Sequence, residues 1–144
     1  MTVLMGHNFY REPGGEDRVY SAEAALLEGR GHRVIRMSAH NRHTGPGSNL
    51  IAPHAAIWNR RYYSGVRKLV TGTKVSICHF HNTFPIISPA VYYAARSRAV
   101  PVVQTLHNYR LLCPAATMMR GGRVCEACLG RFVPWPGVLH RCYR

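Results

Sequence analysis

Residues 1–37 read MTVLMGHNFYREPGGEDRVYSAEAALLEGRGHRVIRM, and this segment decides the fold of the chain. It begins with a short apolar run at Thr2–Met5 and continues through a loop that contains two adjacent glycines. Apolar residues then recur at helical spacing over Asp17–Arg30, and a second apolar run follows at His32–Met37. A strand, a loop, a helix and a strand within this length are typical of a βαβ unit with parallel strands.

The same alternation continues along the chain. Apolar runs at Lys74–Phe80 and Val100–Leu106 predict two more strands, and amphipathic patterns at Arg60–Val70 and Ser88–Arg98 predict helices. Residues 38–56 are rich in Gly, Pro, Asn, Ser and His without any period, which predicts a loop. We therefore predict an α/β fold with a Rossmann-like parallel sheet and helices on both of its faces.

The composition fits one globular domain with an anionic partner. The chain has 144 residues, of which 47% are hydrophobic and 17% charged, so it can bury a core. Its net charge is +13, and 17 of the 19 basic residues are arginine. Such a charge favours nucleic acid, an anionic membrane surface or a phosphorylated ligand, or else reflects an arginine-rich genome. With no apolar leader visible at the N-terminus, we expect a cytoplasmic protein.

The pattern changes after residue 110. We predict that residues 1–110 form the Rossmann-like part and that residues 111–144 form a small cysteine-rich lobe. Four of the five cysteines lie in this lobe, with the spacing Cys113-x11-Cys125-x2-Cys128-x13-Cys142. This number and spacing predict a structural zinc site. The fifth, Cys78, falls in a predicted strand and is expected to be a small buried residue.

A zinc ion with four thiolates carries a net charge of −2, which nearby arginines can offset. It is structural rather than catalytic, because four protein ligands leave no open coordination position. The arginines closest in sequence are Arg120, Arg123, Arg131, Arg141 and Arg144. Two alternatives stay open: free thiols, or a redox Cys-x-x-Cys motif, although the latter lacks the expected strand-to-helix setting.

Paired glycines follow the first predicted strand. Gly14 and Gly15 have no side chain to block a ligand, and the following helix N-terminus offers N–H donors and a partial positive charge. A diphosphate fits such a place, although the G-x-G-x-x-G fingerprint is absent. In the alternative interpretation, Glu16 and Asp17 simply cap the helix themselves.

A His-Asn pair closes each of the two later strands. His81-Asn82 follows the third strand and His107-Asn108 follows the fourth, at the sheet edge where ligands of α/β proteins bind. Imidazole and amide groups both donate and accept hydrogen bonds, which suits a sugar. His79 and His81 share one face of their strand, so one of them is expected to be structural.

These residues, in this order, resemble the N-terminal domain of family-4 glycosyltransferases. The resemblance lies in PGGEDRV at 13–19, HFHNTFP at 79–85 and VPVVQTLHNYRLLCP at 100–114, and it covers nearly the whole chain. It implies a GT-B type enzyme with two Rossmann-like domains and a cleft between them. It also implies sugar transfer from a nucleotide-sugar donor with retention of configuration and without a catalytic metal.

The resemblance also implies roles for individual residues. Gly14 and Gly15 would lie near the donor diphosphate. His107 would be the catalytic histidine that contacts the transferred sugar. The residues expected on the acceptor side are His81, Asn82, Asn108 and Arg110.

The family's C-terminal domain, which binds most of the nucleotide, has no counterpart in this sequence. We therefore predict that the isolated chain does not turn over substrate and that it needs this missing domain as a partner. The expected substrates are a nucleotide-sugar and a glycan or lipid-linked acceptor. The basic face of the Arg60–Val70 helix suits an anionic lipid surface, at about 1 kcal/mol per basic residue. In the alternative interpretation, this basic face is simply solvated and the opposite, apolar stripe of the helix is buried.

Two other functions compete with the transferase. A zinc-containing, basic nucleic-acid-binding module explains the charge and the cysteines, but no recognition helix or aromatic RNA-binding motif is present. The other possibility is a truncated gene product that folds but has no activity. A two-carboxylate hydrolase is disfavoured, because all acidic residues except Glu126 lie within positions 12–28.

Overall fold

The structure is a computed structural model that describes residues 1–10, 12–40 and 53–142. The chain divides into two compact units, unit 1 (Met1–Thr105) and unit 2 (Leu106–Arg144). No helix among the described ranges is both long and apolar enough to cross a lipid bilayer. Unit 1 contains the sheet, whereas unit 2 contains four of the five cysteines.

Unit 1 is built on a parallel sheet of four strands in the order β2-β1-β3-β4. The strands are β1 (Thr2–Phe9), β2 (Arg33–His40), β3 (Ile77–Phe80) and β4 (Val102–Gln104). The helices are α1 (Gly15–Gly29), α2 (Pro53–Ile57), α3 (Arg60–Gly72) and α4 (Ala90–Arg96). The predicted α/β class with a parallel sheet is confirmed.

Alternate residues of the central strand β1 belong to two separate hydrophobic clusters. Val3 and Met5 pack with Tyr20 and Ala24 of α1. Leu4 belongs to a second cluster, whose other members include Cys78, Phe80, Val66, Val91, Ala94 and Ala95 of β3, α3 and α4. Because successive strand residues point to opposite faces, α1 covers one face of the sheet and α3 with α4 covers the other.

Gly6 of β1 makes room for the largest side chain of this core. An added Cβ at Gly6 would lie 2.5 Å from Cδ1 and 2.8 Å from Cε1 of Phe80. The Phe80 ring is fully buried and has no space to move aside. Glycine at position 6 is therefore required by packing.

Strand boundaries differ from the predicted ones. β1 continues past Met5 to Phe9, and β2 continues past Met37, because the two strands stay paired as far as Phe9 opposite His40. β3 and β4 are shorter than predicted because their ladder pairs only Cys78–Phe80 with Val102–Gln104. Polar residues thus continue β1 beyond the apolar run that was used to predict its end.

The loop predicted at 38–56 is wrong at both ends. Residues 38–40 belong to β2, and Pro53–Ile57 forms the short helix α2. The remainder, 41–52, lies outside the described residues. The polar residues after Met37 predict a loop, but hydrogen-bond pairing with the central strand extends β2 through Ser38–His40 regardless of their hydrophobicity.

Helix ends follow local sequence signals. α3 has the predicted apolar stripe, with Val66 buried and Asn59 accepting hydrogen bonds from two backbone N–H groups of its first turn. α4 begins at Ala90, with Pro89 at the N-cap rather than inside the first turn. Ser88 lies in the left-handed region at φ 67°, and its hydroxyl oxygen still accepts from the Ala90 N–H at 3.3 Å.

Unit 2 consists of a small hairpin, a short helix and connecting turns. The hairpin strands are β5 (Met119–Arg120) and β6 (Arg123–Val124), and the helix is α5 (Trp135–Leu139). Gly121 and Gly122 join the strands at φ of +57° and +76°. Positive φ at both central residues is the requirement of a type I′ turn, the two-residue turn whose twist matches a hairpin.

Candidate functional site

The carboxyl ends of β1 and β3 form the place in unit 1 where polar side chains collect. From β1 the chain crosses to β2 on one side and later returns to β3 on the other, so β1 and β3 flank a topological switch point. Ligands of open α/β sheets bind outside the strand ends at such points. We call the group His7, Asp17, Glu23, His79 and His81 the switch-point cluster.

His7 connects the strand ends to α1. Its ring is fully buried, and its Nε2 lies 2.7 Å from Oδ1 of Asp17. Its Nδ1 lies 3.4 Å from the backbone nitrogen of Asn82, which can only donate. This assigns the tautomer: Nδ1 accepts from the Asn82 N–H, and Nε2–H donates to the Asp17 carboxylate.

Asp17 also anchors the glycine loop. Its Oδ2 accepts a hydrogen bond from the Gly14 N–H at 2.8 Å, so this carboxylate caps the start of α1. Gly14 and Gly15 themselves face open space, since no described atom lies within 4 Å of a Cβ added at either position. Packing inside the chain therefore does not require glycine at these two positions.

Glu23 of α1 lies against the two histidines of β3. Its Oε2 is 3.2 Å from Nε2 of His81 and 3.7 Å from Nε2 of His79. The His81 side chain is fully enclosed, whereas those of Glu23 and His79 are 36% and 16% exposed. Nε2 of His79 also lies 2.7 Å from Oγ1 of Thr105. Glu23 and His79 are therefore the members of this trio that a ligand can reach.

Asn82 fastens the two strand ends together. Its side-chain Nδ2 donates to the backbone oxygen of Asn8 at 3.0 Å, and its Oδ1 accepts from the Phe84 N–H at 3.1 Å. Its own backbone oxygen accepts from the Asn8 N–H at 2.7 Å. Through these bonds and the His7–Asp17 pair, the structure brings Gly14, His81 and Asn82 of the predicted site to one edge of the sheet.

The other predicted sugar-contacting residues, His107, Asn108 and Arg110, belong to unit 2. β4 ends at Gln104, so His107 lies beyond the strand rather than directly at its end. Oδ1 of Asn108 accepts from the Arg110 N–H at 3.0 Å, and Nη1 of Arg110 lies 3.5 Å from the Pro114 oxygen.

All four cysteines of unit 2 line one pocket, together with apolar residues that include Leu112, Met118, Leu129 and Pro136. Their thiols are not bonded to each other as disulfides. Across the described ranges, the trio whose ligand atoms all lie within 4.8 Å of one another is Glu23, His79 and His81, and no cysteine trio meets that limit. The zinc site predicted from spacing stays a prediction.

Two cysteines show how environment sets thiol acidity. Burial raises the pKa of Cys78 to about 11, because its strand position excludes water. Burial also acts to raise the pKa of Cys113. Hydrogen bonds from backbone N–H groups outweigh it, so the net pKa lies below its ordinary value; the donors are Met118, Ala115, Thr117 and Ala116. The pKa values of the two thiols are thus shifted in opposite directions, upward for Cys78 and downward for Cys113.

The sequence interpretation missed His7, Asp17, Tyr20 and Glu23 as parts of one cluster. Residues three apart share one helix face, and Asp17, Tyr20 and Glu23 have that spacing. In the structure Tyr20 stacks on His7, with ring centroids 4.9 Å apart. Acidic residues on the otherwise buried face of a helix were the signal that could have identified them.

Comparison of the chain with protein-family models, with characterised proteins and with solved structures finds no match. The resemblance to family-4 glycosyltransferases therefore rests on the residues quoted for it. The function is argued from the geometry of each unit.

Proposed function

We propose that this chain is the N-terminal, acceptor-side part of a retaining glycosyltransferase. It acts with a nucleotide-binding C-terminal domain to move a sugar from a nucleotide-sugar to a glycan or lipid-linked acceptor. The observation that carries the proposal is the position of the glycine loop beside the switch-point cluster. The His7–Asp17 and Asp17–Gly14 hydrogen bonds, at 2.7 and 2.8 Å, join them at the sheet edge where α/β proteins bind ligands.

The glycine loop suits a phosphate group. Gly14 and Gly15 leave their backbone accessible, as the free space around an added Cβ indicates. They begin a helix of 15 residues, whose N-terminus attracts anions. The Asp17 carboxylate uses one N–H, that of Gly14, so a phosphate would bind the donors that follow it.

The Glu23 side of the cluster suits acceptor hydroxyl groups. The Glu23 carboxylate accepts hydrogen bonds, and the His79 imidazole can donate or accept. Both are partly exposed, whereas the enclosed His81 holds Glu23 from behind at 3.2 Å. We assign acceptor contact to Glu23 and His79, and we assign His81 the part of a positioning residue. Asn82 is a second positioning residue, because its amide ties β1 to β3.

His107, Asn108 and Arg110 are the residues of unit 2 to which we give a role. Hydrogen bonds from the His107 imidazole would orient the transferred sugar as charge develops at its anomeric carbon. Arg110 adds a fixed positive charge beside the same segment. These roles rest on the family resemblance.

The test is to titrate the isotope-labelled chain with nucleotide-sugars and to record the chemical shifts of its backbone amides by NMR. We expect saturable shifts at Gly14 and Gly15. Gly15→Ala should abolish them without loss of stability, because the added methyl meets open space in the protein and only a ligand would collide with it.

Gly29→Ala is the matched control, since it lies at the other end of α1 and its Cβ also meets open space. It should leave the shifts unchanged. Equal shifts in the Gly15→Ala chain would overturn the proposal. So would the absence of nucleotide-sugar shifts together with salt-sensitive binding of DNA or RNA, which is the behaviour of the nucleic-acid module.

A further inference from the structure

Three separate pieces of unit 2 bring its four cysteines to one pocket, and each piece is held by its own backbone hydrogen bonds. The first is the loop after Cys113. The Ala116 N–H donates to the Cys113 carbonyl oxygen at 2.8 Å. Ala116 and Met118 lie in this loop at positive φ, 63° and 52°, a region that non-glycine residues rarely adopt.

The hairpin forms the second piece, and Cys125 follows its second strand. The carbonyl oxygen of Met118, just before the hairpin, accepts from the Cys125 N–H at 2.8 Å. This bond ties Cys125 to the end of the Cys113 loop. Cys128 follows in the same turn, which a hydrogen bond from the Leu129 N–H to the Glu126 oxygen closes at 2.9 Å.

The third piece is the end of α5, which turns Cys142 back toward the helix. The Cys142 N–H donates to the Gly137 oxygen at 2.9 Å, and the Arg141 N–H donates to the Val138 oxygen at 3.0 Å. This pair of bonds is a Schellman motif, with Arg141 in the left-handed region at φ 48°. A Cβ at Gly137 would lie 2.7 Å from Pro114 and 3.4 Å from the Cys128 sulfur, so α5 contacts both cysteine-bearing loops.

Unit 2 has little else to stabilise it. The buried residues among its described positions 106–142 are Pro136 and Gly137. Its large apolar residues are exposed, including Leu111 at 78% and Phe132 at 103%. Units this short rarely fold on a hydrophobic core alone and usually need a metal or disulfides. Its cysteines form no disulfide.

We propose that Cys113, Cys125, Cys128 and Cys142 bind one structural zinc ion, and that this ion orders the Asn108–Arg110 segment. Binding draws the four thiols of the pocket together, since no three of these sulfur atoms lie within 4.8 Å of one another in the structure. Binding replaces four thiol protons with one Zn²⁺, releases the protons to solvent, and leaves the site with a charge of −2. Arg120, Arg123, Arg131 and Arg141 lie within a few residues of the ligands and offset this charge. Apolar residues, which include Met118 and Pro136, line the pocket beside the four thiols.

The link to Asn108–Arg110 runs through the Cys113 loop. The Cys113 N–H donates to the Tyr109 oxygen at 2.8 Å, and the Tyr109 N–H donates to the Ala116 oxygen at 3.0 Å. The Arg110 guanidinium donates to the Pro114 oxygen. Zinc at Cys113 therefore holds the segment that follows His107. The zinc site itself is independent of the proposed function; only the catalytic meaning of this ordering rests on it.

The first experiment measures metal in the full chain, purified without added zinc or chelator. We expect one zinc per chain by mass spectrometry. Cobalt added after zinc removal should give tetrahedral ligand-field bands with sulfur-to-metal charge-transfer absorption. This spectrum needs no variant, so it stands even where a cysteine substitution prevents folding.

Variants then assign the ligands. Cys125→Ser should lose the zinc and the charge-transfer absorption, whereas Cys78→Ala, which removes the buried thiol of unit 1, should keep both. Zinc removal should also speed hydrogen exchange at the Tyr109, Cys113 and Ala116 amides by tenfold or more.

Three results would overturn the inference. The first is a metal-free chain whose thiols all react as free or pair as a Cys125–Cys128 disulfide. The second is a bound metal that shows no sulfur-to-metal charge-transfer absorption and that is lost in the His79→Ala chain. This result would place the metal at Glu23, His79 and His81 instead. The third is zinc at the cysteines with unchanged exchange at Tyr109, which would refute the ordering of the segment. The first and third results leave nucleotide-sugar binding by unit 1 untouched, whereas the second would also contradict the acceptor contact proposed for Glu23 and His79.

Discussion

Two helices of this protein end in the same Schellman motif with different residues at its left-handed position. After α1 the position is Gly31, at φ 78°, with hydrogen bonds from Gly31 and His32 back to Glu28 and Leu27. After α5 the position is Arg141, which pays the steric cost that glycine avoids. Unit 1 needs no strain here because its core already holds α1, whereas unit 2 accepts strain where Cys142 must be placed.

The comparison extends to the whole of both units. The buried hydrophobic residues of the described chain, from Val3 to Ala95, all lie in unit 1. Of the five non-glycine residues with positive φ in the described chain, three lie in the shorter unit 2 near its cysteines (Ala116, Met118 and Arg141), and two lie in unit 1 (Ser88 and Ala99). Strain of this kind persists where surrounding structure imposes it, and it clusters at ligand sites. We infer that a core holds unit 1 and that a bound ion holds unit 2.

Removal of zinc should have the largest effect on the protein. A strong chelator should unfold unit 2 and leave unit 1 folded, because structural zinc in small domains contributes about 10 kcal/mol or more to folding. In a Trp58→Phe chain, fluorescence of Trp135 reports on unit 2 alone, while exchange of the β1 amides reports on unit 1. Simultaneous loss of both signals, or of neither, would refute the contrast between the two units.

Within unit 1, removing the buried Asp17 carboxylate should cost far more than removing an exposed one. Asp17→Ala leaves the enclosed His7 Nε2–H and the Gly14 N–H without their acceptor, which costs about 3 kcal/mol. Glu28→Ala is the control on the same helix. It breaks only an exposed 2.7 Å ion pair with Arg36 and should cost less than about 1 kcal/mol. Equal free energies of unfolding in urea for the two variants would contradict this reading of the cluster.

Alkaline pH should weaken unit 1 through its buried thiol. The pKa of Cys78 rises on folding from 9.0 to about 11, so the unfolded chain loses this proton first. Its contribution to stability is complete below pH 9 and is lost as the pH rises through 11. The loss reaches about 3 kcal/mol, since one pKa unit corresponds to about 1.4 kcal/mol. Urea unfolding between pH 8 and pH 11 measures most of this loss, and Cys78→Ala should flatten the curve over that range by about 2 kcal/mol.

The smallest effects test the two helix ends themselves. Gly31→Ala should destabilise unit 1 by about 1 kcal/mol, because alanine resists the left-handed region. Arg141→Gly should stabilise zinc-loaded unit 2 by about 1 kcal/mol or less, since glycine relieves the strain but gains freedom in the unfolded chain. Urea unfolding followed at Trp58 and at Trp135 separates the two. If both substitutions changed the free energy of unfolding in the same direction, the two helix ends would not be equivalent motifs.

Much of unit 1 was predictable from periodicity. The four strands and three of the four helices fall near their predicted places because apolar spacing reflects which face each element buries. α2 was missed, since Pro53–Ile57 is too short to show a period. The site was predicted less well. Gly14 and His81 were named, but Glu23 was overlooked, because its contact with His81 joins a helix to a strand far along the chain.

Local sequence signals account for the approximate places of the main elements of unit 1 and for the tight turns, because these depend on residues a few positions apart. The Gly121-Gly122 turn and the Gly31 helix end belong to this class. Tertiary structure alone decided that β1 lies between β2 and β3, and so that His7, Glu23 and His81 share one edge. Strand order depends on burial across the whole sheet, which brings together residues that no local pattern relates.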